Sequence, residues 1–188
     1  MKPPAAPVPV TQLLALAREG DAHALDAAYV AVYEELKQAA RRQLRRRRGA
    51  FQTTALVHEA YLKLVGGELP SLKDRHHLLA LSARAMRQVL VDHARHSNAG
   101  KRDAGSPTLA LHDGAAVATS ADALGVLIVD DIIETLQKID ARMARVVELR
   151  CFGGYDVAEI ARILEQPDYT VRRDWRKARA LLLAELRA

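Results

Sequence analysis

Four sets of residues in this sequence have types and spacings that could do chemistry. His58 and Glu59 open the stretch HEAYL, His93 and His96 stand three apart, Cys151 is the single thiol, and arginines gather in rows at 41–48 and 172–179. HEAYL is not the zinc-protease pattern, because position 62 is Leu62 where a second histidine would be needed. His93 and His96 can share one face of a helix, but no third ligand is evident, and a zinc site needs at least three. Cys151 ends a patterned apolar helix and reads as core, and no glycine-rich phosphate loop is present. The expectation is a protein with no catalytic residues, no metal and no cofactor. That leaves the arginines, whose chemistry is the binding of phosphate.

The C-terminal row has a second pattern beneath it. Val171, Trp175, Ala178 and Leu182 recur at i, i+4, i+7 and i+11, the buried stripe of a helix, while Arg172, Arg176 and Arg179 fall on one flank with Arg173 and Lys177 beside them. A shorter helix precedes it. Asp156 and Glu159 form a capping-box pair, Val157, Ile160, Ala161 and Leu164 its inner face, and Pro167 suits the first position of the following helix. A cationic helix braced by a short one across a tight turn is helix-turn-helix logic.

The other elements are helical too. Apolar residues make up 49% of 188 residues, mostly Ala and Leu, with 4% aromatic, a mix that favours helices throughout. Thr11 is expected to cap a short helix ending at Gly20, and Asp21 the next, with Leu25, Ala28, Tyr29, Val32, Leu36 and Ala39 inward. A helix after Phe51 carries Val57, Tyr61, Leu64 and Val65 until Gly66-Gly67, and a long one follows the loop 66–77. Residues 98–123 lose all period and read as a flexible linker. The expected architecture is all-α: a tail at 1–9, a domain at 10–97, the linker, and a domain at 124–188. The net charge of +5 suits a polyanion partner. A single cysteine, no signal-peptide core and no apolar run of membrane length predict a soluble, cytoplasmic protein that does not engage a membrane.

LQKIDARMARVVELRCFGGYDVAEIARILEQPDYTVRRDWRKARALL resembles the fourth conserved region of bacterial RNA polymerase sigma factors of the short, extracytoplasmic-function (ECF) type. ALVHEAYLKL resembles region 2.2 of the same family, and LSARAMRQVLVDHARH regions 2.3 and 2.4. The resemblance implies two helical domains and two macromolecular partners, core RNA polymerase and promoter DNA, with an anti-sigma factor a further partner class. It places Thr170, Arg172, Arg173, Arg176 and Lys177 on the minus-thirty-five element. Arg84, Arg87, Gln88, Asp92 and Arg95 fall on the helix that faces the minus-ten element. Leu56, Val57, Glu59 and Leu62 belong to the segment that docks on polymerase. The chain departs from the family at three places. Leu81 stands where relatives often carry a tryptophan, with His76 and His77 nearby, and Glu165 and Gln166 replace a turn glycine and an apolar residue.

The third departure concerns Thr53 and Thr54. The family usually carries acids just before the segment matching LVHEAYL, and by resemblance these grip a basic coiled coil of the largest polymerase subunit. Here Gln52, Thr54 and Ala55 occupy those positions, preceded by six arginines among residues 41–48. The chain resembles groups of the family that lack the acidic cluster and are controlled by a Ser/Thr protein kinase. A phosphate on Thr53 or Thr54 would add about −1.5 to −2 charges there, at a helix N-terminus where an anion is favoured. A threonine pair in this place is also a common N-cap. The alternative function is a helix-turn-helix regulator that acts without polymerase; from another class, an adaptor that captures proteins on helical faces.

Overall fold

The computed structural model describes residues 8–44, 52–66, 72–102 and 120–185. Among them all regular structure is helical. The first helix, α1 (Val10–Arg18), starts one residue before the expected cap. The Pro9 carbonyl accepts from the N–H groups of Gln12 and Leu13, so Thr11 lies in the first turn. Asp21 does cap α2 (Ala22–Leu44): its Oδ1 accepts from the N–H groups of His23 and Ala24. The predicted inner face of α2, Leu25 through Ala39, is buried. Against it pack α3 (Thr53–Gly66) and α4 (Arg75–Arg102), the latter capped by Asp74, which accepts from His77 N–H at 2.9 Å. Tyr29 Oη donates to the Val57 carbonyl at 2.9 Å and pins α2 to α3. Tyr61 donates to Asp26 across the same seam, and that hydrogen bond holds the Tyr61 phenol up at about 12.

The second half comprises α5 (Ser120–Ile139), α6 (Ala141–Cys151), α7 (Val157–Ile163) and α8 (Asp168–Glu185). Asp140 ends α5 and caps α6 by accepting from Met143 N–H. Both edges of the stretch read as linker are helical, since α4 continues to Arg102 and α5 begins at Ser120; residues 103–119 lie outside the described residues.

The halves are docked on one another. The long helix α4 lies against α5 and α6, and buried residues from both halves, among them Leu36, Met86, Ile133 and Ile160, belong to one apolar cluster. Burying one such side chain contributes about 1.5–3 kcal/mol. At the other end of the contact Arg42 of α2 donates Nε to the Gly154 carbonyl at 2.9 Å and Nη2 to Glu159 at 2.8 Å. Gly154 has φ of 67°, and a Cβ there would stand 2.1 Å from the Ala39 carbonyl oxygen, so only glycine fits between the turn and α2.

Candidate nucleic-acid interface

The α7–α8 pair is fixed at both ends of its turn. Asp156 accepts from Glu159 N–H at 2.8 Å while the Glu159 carboxylate accepts from Asp156 N–H at 2.7 Å, closing the predicted capping box. At the C-terminus of α7, Gln166 N–H bonds the Ala161 carbonyl at 2.9 Å and Glu165 N–H the Arg162 carbonyl at 3.2 Å. That is a Schellman turn, with Glu165 in the left-handed position at φ 51°. A side chain there costs on the order of 1 kcal/mol. Glu165→Gly is therefore expected to stabilise the chain by about 0.5 kcal/mol once the ~0.5 kcal/mol of added freedom in the unfolded chain is subtracted, a rise of roughly 1–2 °C in Tm. Scanning calorimetry of the two forms checks it; an unchanged or lower Tm would contradict it.

The stripe of α8 is inward as spaced, with Val171, Ala178 and Leu182 buried and Trp175 half-buried beneath the Arg150 guanidinium, 5.7 Å from its ring centre. Arg172, Arg173, Arg176, Lys177 and Arg179 are exposed. Thr170 is not available to a partner in this conformation. It is 7% exposed, whereas the neighbouring Tyr169 is 71% exposed and is the outward residue at the start of α8. Asp174 is a structural residue that the apolar spacing alone passes over. It is buried, accepts from Arg142 Nε of α6 at 2.7 Å and from Arg173 Nε at 3.3 Å, and so locks the angle of α8. Its position, three residues after Val171 and four before Ala178, puts an acid on the apolar stripe and was the available signal. Arg173 is correspondingly committed to the fold as well as to the outer face.

A cationic helix on this braced turn, with a second cationic face on α4, is matched across the chain by the family model described as ECF sigma factor, which covers residues 7–188. The chain belongs to the ECF sigma factor family. No curated protein and no solved structure is matched by the chain. The family consists of transcription initiation factors that recognise promoters, and among the described residues no helix is long and apolar enough to cross a membrane. Among those residues, too, no group of three metal-ligating side chains stands together; burial and then the neighbouring His96 hold His93 below the ordinary histidine range.

On α4 of this sigma factor Arg84, Gln88 and Arg95 are exposed and Asp92 pairs with Lys63 at 2.8 Å. Arg87 departs from the expected outward position and is 6% exposed. Leu81, His76 and His77 are half-buried near the start of the helix, and His77 Nδ1 accepts from Lys73 N–H. On α3 the expected docking set divides. Leu56 and Val57 are fully buried and build the core, which corrects their placement at a partner surface; Glu59 is half-buried and Leu62 is 49% exposed. The outward stripe of α3 is instead Thr54, His58, Leu62 and Val65, spaced at i, i+4, i+8 and i+11.

Proposed function

We propose that this sigma factor brings core RNA polymerase to promoters through α3, reads the minus-ten element with α4 and the minus-thirty-five element with α8, and docks fully only when Thr54 carries a phosphate placed by a Ser/Thr kinase. The observation that carries the switch is at the start of α3. Gln52 holds the cap position, its carbonyl accepting from Leu56 N–H at 3.0 Å, so both threonines lie in the first turn rather than at the cap. That turn contains no acid. Thr54 is exposed and heads the same stripe as Leu62 and Val65, whereas Thr53 is half-buried on the side of Leu56 and Val57. A phosphate on Thr54 would join an anion, at a helix N-terminus, to an apolar docking face that is 49% exposed at Leu62 and 44% at Val65. An anti-sigma factor would compete for these same faces.

The test is transcription in vitro with purified core polymerase, with the chain unmodified and kinase-treated. Thr54→Glu is expected to raise polymerase association about tenfold, the equivalent of one charge-assisted contact of ~1.4 kcal/mol. Thr54→Ala should remain silent after kinase treatment, and Thr53→Ala should respond as the unmodified chain does. Full-strength docking by unphosphorylated Thr54→Ala would defeat the switch while leaving the sigma-factor assignment standing.

A further inference from the structure

Arg87 lies in the middle of the α4 face assigned to the promoter, and in this conformation no phosphate can reach it. Its guanidinium is held on three sides by carboxylates of the other half. Nε donates to Asp130 Oδ1 at 2.7 Å, Nη2 to Glu134 Oε1 at 2.6 Å and Nη1 to Glu148 Oε1 at 3.2 Å. Nη2 also reaches the Asp130 backbone carbonyl at 3.4 Å. Two turns further along α4, Arg95 Nη2 stands 3.3 Å from Asp130 Oδ2. A planar fork of N–H donors met by anionic oxygens is how arginine is held by phosphate. The acids of α5 and α6 thus occupy the donors that nucleic acid would use.

The geometry points to a closed free form in which Asp130, Glu134 and Glu148 stand in for promoter phosphates, so that the sigma factor masks its own minus-ten-reading helix until polymerase or DNA draws the halves apart. This rests on the reading of α4 as promoter-facing. Two features make the closure specific and reversible. The cluster is only partly buried: Glu134 is exposed, and the desolvation of Arg87, Asp130 and Glu148 offsets much of their attraction, so the ions fix where the halves meet more than how tightly. The second latch, Arg42 on Gly154 and Glu159, is an exposed pair at the far end of the same contact.

Removing an acid alone would raise DNA affinity by simple electrostatics, so the informative variant is the pair Asp130→Asn with Arg42→Gln. It takes the buried Asp130 carboxylate out of the first latch, leaving Arg87 to Glu134 and Glu148, and removes the second latch. One charge of each sign is lost and the net charge stays at +5. Small-angle scattering of the full-length unmodified chain should give the compact radius of gyration of roughly 16 Å expected for its length. The double variant should exceed it at unchanged helicity by circular dichroism. Its affinity for a fluorescent single-stranded 20-mer of mixed sequence should rise about tenfold or more, as the open fraction rises. A radius for the unmodified chain well above roughly 16 Å would overturn the closure, and equal compact radii for the two forms would overturn the part given to the ion latches. Expansion without a gain in DNA affinity would overturn the masking. Arg42→Gln alone, which lowers the net charge, should still raise affinity; a fall would count against the proposal. Polymerase-dependent transcription, measured separately, reports on the assignment of function and is not read by these arms.

Discussion

Replacing Arg172, Arg176 and Lys177 together with alanine will lower promoter-directed transcription by more than about a hundredfold while association with core polymerase is retained. All three side chains are exposed on α8, opposite the Val171–Ala178–Leu182 stripe, so their removal leaves the packing of the helix intact. Each interaction with a phosphate or a base edge contributes on the order of 1–3 kcal/mol, and three together account for at least two decades of affinity. The dependence of binding on salt should also flatten, by about one unit of slope for each phosphate that is no longer neutralised. Arg173 is left in place deliberately, because its Nε also serves the buried Asp174 carboxylate. Transcription at the level of the unsubstituted chain would mean that α8 does not meet DNA, and failure to associate with polymerase would mean that this helix belongs to the other interface.

The second large effect is expected at a single backbone position. Gly154→Ala introduces a Cβ that stands 2.1 Å from the Ala39 carbonyl oxygen, which is backbone and has no flexible end free to yield. Left-handed φ costs on the order of 1–2 kcal/mol and overpacking a further 1–3, a total of about 2–5 kcal/mol in urea denaturation. Gly20 supplies the control. It too has positive φ, at 101°, but a Cβ there meets nothing within 4 Å, so Gly20→Ala should show the backbone part alone. Equal destabilisation at the two glycines would show that the close approach between the turn and α2 contributes nothing.

Much of the helical frame is readable from the chain itself. Apolar residues at 3.6-residue spacing identify the inner faces of α2 and α8, and Asp21 and the Asp156–Glu159 pair mark their own helix starts, because these are interactions among neighbours in sequence. The left-handed demand at Glu165 follows from the position at which the family carries glycine, and φ of 51° meets it. What spacing does not reveal is which neighbour covers a given face. Leu56 and Val57 sit in the segment that resembles a docking helix, yet α2 and α4 bury them. Arg87 lies by resemblance on the helix that faces the minus-ten element, yet α5 and α6 present three carboxylates to it across more than forty residues of chain. Asp174 is an acid on an apolar stripe, buried against Arg142 of α6, and Thr170 near it is buried too. The docking of the two halves is the extreme case, since no local pattern encodes it.

That shared apolar cluster sets a dose rule for the molecule. Any partner that needs α4 and α5 apart must supply the energy of uncovering them, and its apparent dissociation constant is weakened by the inverse of the fraction of chains already apart. With one chain in about a hundred apart, a partner of nanomolar intrinsic strength behaves as one of roughly a tenth of a micromolar. The concentration for half-maximal binding rises by the same factor without a change in the shape of the curve, and that factor is written into the residues between the two halves rather than into either surface that meets a partner.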